Sequence, residues 1–429
     1  MNLPFKLSAP HRDEMSPNPP FLETRVSTYY DRLSKIGSHL LKGRLPDRDA
    51  ILLVSNDYLD LGDHPEVIEA RVAALREAGR ALLRSDVFRH GPGPLREFEQ
   101  NMASFMQAED TVICQSGWAA NVGLIQSIAG PDTPVYLDMH AHTSMWEGTK
   151  SAGAKGRPFR HSDPDSLEKM HRRFGPGIVV VETVYSTSGG LCPLRDIVAV
   201  AERFGSVLVV DESHSLGLFG RHGAGITVAE GLAHRVHFRT ASLSKAFASR
   251  GGLICGSARN MEFFRYESFP AIFSSGVLPF EAEGFNTTLR LIKAGKALRK
   301  QLQANAAYLR KKLPALDYDI GETRSQIISL VAGSEAQTLV LRNALESRGV
   351  FGSVFCWPAT PRNRALIRFS VNSSLSTVEL ERIIAVCAEI RDEIGLYGEV
   401  QTPKEKNGAP LFPAAVSHPG QPVLVSLGR

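Results

Sequence analysis

The sequence predicts an α/β protein: a large, mostly parallel sheet with helices on both faces, then a small C-terminal α+β layer. Two observations predict it. From about Pro94 to Val386, short apolar runs alternate with stretches of helical period, and the runs are continuously apolar, as strands buried on both faces are. A chain of 429 residues also exceeds what one small core holds, so a large domain and a smaller one are expected.

Residues 1–20 are proline-rich and read as an unstructured arm. Val26, Tyr29, Leu33, Ile36 and Leu40 then fall at helical spacing, which predicts a helix from about Phe21 to Leu41. Ile51–Val54 reads as a short buried strand, followed by a polar turn and a helix from Pro65 to Ala78. Strands are expected at Thr111–Cys114, Val135–Leu137, Ile178–Val181, Val207–Val210, Val236–Thr240 and Leu253–Cys255. One long amphipathic helix from Phe280 to Leu313 leads into the C-terminal layer. That layer reads strand Ile327–Val331, helix Ala336–Arg348, strands Val350–Phe355 and Leu366–Val371, and helix Thr377–Ile394. The expected division is an arm and helix over 1–60, a large domain over 61–295, a small domain over 296–398 and a flexible tail over 399–429.

A net charge of +4 is too slight to argue for a nucleic-acid partner, though it is compatible with local sites for anions. The five cysteines have no CxxC pairing and lie mostly in apolar runs, which points to a reducing compartment. Met1–Pro20 lacks a signal-peptide pattern and no apolar run is long enough to span a membrane, so a cytoplasmic enzyme is expected.

Ligands of parallel sheets collect beyond the carboxyl ends of the strands, so the residues just after each strand carry the functional argument. Lys245 follows one strand, in Ser242-Leu243-Ser244-Lys245-Ala246. Such an amine can form a Schiff base with a carbonyl cofactor, although Ser and Ala offer it little cover and the stretch alone reads as a surface lysine. Val207–Val210 runs into Asp211-Glu212-Ser213-His214, where Asp211 can pair with a cationic ring nitrogen or simply cap a helix. Thr111–Cys114 runs into Gln115-Ser116-Gly117-Trp118, a glycine turn opening a helix and a plausible phosphate cradle. His140 and His142 follow a third strand; His142 could stack on an aromatic cofactor, and with no third ligand at metal spacing no metal is expected. Ser186 lies beyond a fourth strand end. Together these ends describe a site for a phosphorylated aromatic aldehyde.

The motifs Asn56-Asp57-Tyr58-Leu59, Ser116-Gly117-Trp118-Ala119-Ala120-Asn121, Asp211-Glu212-Ser213-His214-Ser215 and Ser242-Leu243-Ser244-Lys245 occur in the order and approximate spacing of the α-oxoamine synthases, which the chain resembles over Asn56–Val386. These are fold-type-I pyridoxal 5'-phosphate enzymes and homodimers that join an amino acid to an acyl-CoA with loss of carbon dioxide. Trp146-Glu147-Gly148, Tyr185-Ser186-Thr187 and Pro270-Ala271-Ile272-Phe273-Ser274-Ser275 resemble the branch that makes α-aminoketone precursors of α-hydroxyketone quorum-sensing autoinducers. The resemblance implies that Lys245 holds the cofactor and acts as acid/base, that Asp211 pairs with the pyridine nitrogen, that His214 meets the phenolic oxygen and that His142 stacks on the ring. It assigns phosphate binding to Ser116, Gly117, Trp118 and Ser242, with Ser274 or Ser275 from the partner subunit. Arg368 would clamp the amino-acid carboxylate, with Asn56 and Ser186 as further contacts. The implied substrates are a medium-chain acyl-CoA with 2-aminobutyrate or S-adenosylmethionine; biosynthetic condensation with glycine, alanine or serine, and aminotransferase or decarboxylase chemistry, are the alternatives. Three departures stand out. Ser213 replaces the family's usual alanine, Ser242 replaces its usual threonine but keeps the hydroxyl, and Arg84–His90 lacks its usual glycine-rich, Ser-Arg pattern near the acyl entrance.

Overall fold

The computed structural model describes residues 17–36, 39–78 and 83–395; the first sixteen residues of the arm and the tail expected from Glu399 lie outside the described residues. Two units divide the chain between Gly43 and Arg44. The first contains the helix Pro20–Ile36, which ends five residues short of the expected Leu41 and so leaves Leu40 outside it.

Among its described residues the second unit carries eleven strands: β1 (Ile51–Leu53), β2 (Asp110–Cys114), β3 (Pro134–Asp138), β4 (Lys155–Phe159), β5 (Ile178–Glu182), β6 (Val207–Asp211), β7 (Phe238–Ser242), β8 (Gly252–Gly256), β9 (Ile327–Gly333), β10 (Val350–Phe355) and β11 (Ala365–Ser370). Seven of them form one sheet in the order β2-β8-β7-β6-β5-β3-β4. Neighbours from β4 to β7 pair in parallel, whereas β8 runs antiparallel to both β7 and β2. β2 therefore points the same way as β7, and both end on the same edge. Side chains alternate between two cores. Val179 and Val181 of β5 join Leu208 and Val210 of β6 on one face, while Ile178, Val180 and Val209 pack on the other. Strands buried on both faces account for the unbroken apolar runs.

Three expectations are corrected. β4 was not anticipated: Lys155, Arg157 and Pro158 read as loop, yet the strand pairs only with β3 at the sheet's edge, where a proline costs no ladder bond. β7 starts and ends two residues later than expected, at Ser242 rather than Thr240. The single long helix is two helices, Pro279–Ala294 and Lys296–Lys312, interrupted at Gly295.

β9, β10 and β11 form a second sheet with β1, in the order β1-β10-β11-β9. β1 pairs in parallel with β10 and buries Ile51 and Leu53 but not Leu52, so it is half-buried rather than fully buried. This sheet carries Arg368 on β11, opposite Ser353 and Ser329. On the large sheet the chain leaves β3 for β4, then returns to β5 on the other side of β3 and continues to β6 and β7. That reversal opens a crevice beyond the carboxyl ends of the strands.

Candidate active site

One pocket at this edge is lined by Gly117, Trp118, Asn121, His142, Glu182, Asp211, Ser213, His214, Ser242 and Lys245. The residues come from the ends of β2, β3, β5, β6 and β7. Lys245 sits in a turn closed by Leu243 N–H donating to the Gly251 carbonyl (2.9 Å) and Ala248 N–H donating to the Lys245 carbonyl (2.8 Å). Leu243, Ala246 and Phe247 are buried and anchor that turn, so the lysine is covered rather than lying on an open small-residue loop. Burial first, then the Arg368 guanidinium, lowers its amine from 10.5 to about 8, against the opposing pull of Asp211 and Glu182.

Asp211, at the end of β6, is held from two sides. Asn121 Nδ2 donates to Oδ2 (2.8 Å) and Ser213 N–H donates to Oδ1 (2.7 Å). The same Asn121 amide donates to Ser144 Oγ (3.0 Å), and Ser144 Oγ lies 2.8 Å from His142 Nδ1. Because Ser144 accepts from Asn121, its own proton is free for His142 Nδ1, which leaves the His142 proton on Nε2. Burial keeps His142 neutral by lowering its pKa. His214 Nδ1 lies 2.7 Å from Tyr58 Oη, and burial drives the His214 pKa well down, so the imidazole is neutral. Tyr58 itself, fully buried, is pushed up to about 12. Ser213 Oγ accepts from Ser242 N–H (2.8 Å), so this serine ties the loop after β6 to the end of β7, just before the lysine turn.

The remaining sequence candidates fall differently. Arg368 is buried and reaches across from the second sheet; Nη1 donates to the Ser186 carbonyl (2.8 Å) and Nη2 to Asn56 Oδ1 (3.0 Å). Arg368, Asn56 and Ser186 are thus brought together beside the pocket. Ser116 Oγ accepts from Ala119 N–H (3.1 Å) and is occupied as a helix cap. Ser274 Oγ donates to the Pro270 carbonyl (2.6 Å) and Ser275 pairs with Ser85; neither lines the pocket of its own chain. Asn121 and Glu182 were missed as site residues. Glu182 ends β5 just as Asp211 ends β6, which was the available signal; its carboxyl is fully buried, pushed well up by burial and then by Asp211, and Oε1 has no partner.

A larger cavity of about 670 Å³ lies elsewhere, lined by residues of Arg89–Glu97 with Gln100, Arg265 and Tyr266. Its arginines are already committed: Arg89 to Glu99 (2.7 Å), Arg265 to Glu99 (2.8 Å) and Arg96 to Asp110 (2.6 Å). The smaller pocket is the one that brings the amine and the fixed carboxylate together.

Fold and pocket together define a fold-type-I pyridoxal-phosphate enzyme. The chain belongs to the aminotransferase class I and II family, whose pattern matches residues 48–386. It is similar to the CAI-1 autoinducer synthase of Vibrio campbellii, with 40% identity over 381 residues, 88% of this chain and 97% of that protein. It is also similar to a serine palmitoyltransferase of Caulobacter vibrioides, with 30% identity over 359 residues, 83% of this chain and 89% of that protein. Among solved structures, the serine palmitoyltransferase of Sphingomonas wittichii superposes with a TM-score of 0.81 at 26% identity, covering 88% of this chain and 98% of that one. A serine palmitoyltransferase structure holding pyridoxal phosphate gives 0.79 at 26% identity, with the same coverage. The protein is a pyridoxal-phosphate-dependent enzyme of the acyltransferase kind, and the resemblance to α-oxoamine synthases holds.

The residues fit that cofactor. The first N–H groups of the helix Gly117–Ile128 have no partner inside the helix and open on the pocket, as an anion site requires. A Cβ at Gly117 would lie 2.7 Å from the Ser242 Cβ, so only glycine lets that helix end approach β7. Asp211, oriented by two donors, is an acceptor suited to a protonated ring nitrogen. Arg368 Nε is buried without a partner, a donor suited to a carboxylate.

Proposed function

We propose that this enzyme condenses an acyl-CoA with a small amino acid, with loss of carbon dioxide, to give an α-aminoketone that serves as precursor of an α-hydroxyketone autoinducer. The observation that carries the reading is the 40% identity to a CAI-1 autoinducer synthase over 97% of that protein's length. The acyl group in this reading is medium-chain and the amino donor is 2-aminobutyrate or S-adenosylmethionine.

When bound, pyridoxal phosphate supplies an electron sink for the charge left at the α-carbon. The chain's own residues do the rest. Arg368 binds the amino-acid carboxylate through its guanidinium, with Asn56 and the Ser186 carbonyl fixing the plane of the fork. Lys245 would hold the cofactor and, with burial and Arg368 lowering its amine to about 8 so that the neutral form is within easy reach, would take the α-proton on Nζ. Asp211 would keep a proton on the ring nitrogen, and Asn121 and Ser213 keep Asp211 in place. Neutral His214, hydrogen-bonded to Tyr58, would meet the phenolic oxygen, and His142 would stack on the ring. The N–H groups of Gly117 and Trp118 bind the phosphate with the Ser242 hydroxyl. We take the working molecule to be a homodimer in which Ser274 or Ser275 reaches the partner's phosphate site, and the domains to be 61–295 around the cofactor and 296–398 as the smaller body.

Mass spectrometry of the product formed from a mixture of acyl-CoAs and amino acids tests this reading. An α-aminoketone with a medium-length chain supports it, and Lys245→Ala should abolish both product and the yellow colour of the bound cofactor. Preference for glycine, alanine or serine with a short acyl-CoA would make the enzyme biosynthetic instead. Turnover of an amino acid without CoA release would make it an aminotransferase or a decarboxylase.

A further inference from the structure

His140 and His142 are separated in sequence only by Ala141, but the fold sends them to different places. His142 turns to Ser144 and the pocket, while the His140 ring stacks on His161, with centroids 3.9 Å apart and planes at 22°. His161 lies just beyond β4 and His140 just beyond β3. A third element joins them: the turn ahead of β9 brings Glu322 Oε1 to 2.6 Å from His161 Nε2.

We propose that His140, His161 and Glu322 form a binding site for a divalent transition metal of the zinc type. One ring nitrogen from each histidine and a Glu322 carboxylate oxygen lie within 4.8 Å of one another. Bonds of about 2.0–2.2 Å place tetrahedral ligands about 3.3–3.6 Å apart, so an ion would turn the two stacked rings apart until their in-plane lone pairs converge on it, with Glu322 following on its flexible side chain. Two imidazoles and one carboxylate leave a fourth position for water, the donor set that zinc and its neighbours favour over magnesium or calcium.

Three features go beyond a plain ion pair. The first is behind His161: its Nδ1 lies 2.8 Å from Asp138 Oδ1, which fixes the tautomer and aims Nε2 at Glu322. A carboxylate behind a histidine in this way is the usual support of a metal-binding imidazole. Asp138 is itself held by the Tyr185 hydroxyl (2.7 Å) and Ser162 N–H (2.8 Å), and it also accepts the His140 backbone N–H (2.8 Å), so one carboxylate fixes the His161 ring and the main chain at His140. The second is His140 Nδ1, which is buried without a hydrogen-bond partner. An unpaired buried ring nitrogen is costly unless something is meant to meet it. The third is Gly190, where a Cβ would lie 2.8 Å from Glu322 Oε1; glycine there leaves the carboxylate room to point at the histidines. Binding replaces the proton between His161 Nε2 and Glu322 Oε1 with the ion, and that proton goes to solvent. The ion would tie the ends of β3 and β4 to the turn ahead of β9.

The test uses the full-length holoenzyme, stripped with a chelator and titrated with Zn²⁺ by calorimetry and with Co²⁺ by visible absorption away from the cofactor band. The expected result is one ion per chain, no competition from Mg²⁺, and at least tenfold weaker binding in both Glu322→Gln and His161→Ala. Glu322 has a side chain 46% exposed, so its variant keeps the test open if His161→Ala fails to fold. Absence of saturable binding, or binding equally tight in Glu322→Gln, overturns the proposal and leaves His161 as an ion-paired histidine between two carboxylates.

Discussion

Burial, and then the Arg368 guanidinium, hold the Lys245 amine near 8, where a free lysine titrates at 10.5. In the cofactor-free protein this amine should react with a small amine reagent at a rate half-maximal near pH 8, followed by mass spectrometry of its peptide. The sign for stability follows from proton counting. Between about 8 and 10.5 the unfolded lysine binds a proton that the folded one does not, so this residue's contribution rises with pH across that window and is lowest below it. Lys245→Met, with no amine to desolvate, should therefore be more stable than the cofactor-free wild type at pH 7, by a margin that shrinks towards pH 10.5 in thermal melts. Arg368 gives a second prediction. Arg368→Lys keeps the charge but loses the fork and leaves the Ser186 carbonyl and Asn56 short of a donor. Losing a charged hydrogen bond costs about 1.5–3 kcal/mol, so KM for the amino acid should rise roughly tenfold or more while KM for the acyl-CoA changes little. Residues directly after strands were legible in the sequence: Lys245, Asp211, His214 and His142 all line one pocket. Asn121 was not, because its partners Asp211 and Thr240 lie 90 and 119 residues away and nothing local marks the pairing.

At the level of elements, apolar runs placed five of the seven large-sheet strands to within a residue or so and a sixth, β7, two residues early. Two things escaped that signal. Strand direction leaves no trace in an apolar run, so β8 could not be told antiparallel from Leu253–Cys255 alone. An edge strand such as β4 needs no apolar run, since one of its sides pairs with nothing. The helix interruption at Gly295 was written in the sequence but outweighed by the apolar period on either side. A close approach between elements sets the next prediction. The helix beginning at Gly117 meets β7 at Ser242, and an alanine Cβ there would press on both Cβ (2.7 Å) and Cα (3.0 Å). A backbone atom cannot swing aside, so Gly117→Ala should push the helix end off β7. Retention of pyridoxal phosphate on dialysis should fall with it, and Tm by a few degrees, because overpacking costs about 1–3 kcal/mol.

For the molecule as a whole, the question is what covers the short helix Phe269–Phe273. Phe273 is 77% and Phe269 54% exposed, with their rings 5.8 Å apart. Single exposed apolar residues are ordinary, but two phenyl rings in contact on one short helix form a patch that water solvates poorly. The patch is not remote from the chemistry. Gln115 Nε2 donates to the Pro270 carbonyl (3.2 Å), Ser274 closes the same helix, and Gln115 is two residues from the cradle at Gly117. A second copy laid over the phenyls would bury them and bring Ser274 and Ser275 towards its own phosphate site. Neither serine reaches the pocket of its own chain, and the homodimer reading gives both a role. Phe273→Asp places a charge in that contact and touches no residue of the chain's own pocket. It should convert a dimer to monomers in analytical ultracentrifugation and weaken pyridoxal-phosphate retention in the same preparation, while the far-ultraviolet circular dichroism of the fold is unchanged. A wild-type monomer, or a variant that stays dimeric with full cofactor, would mean that each chain completes its phosphate site alone.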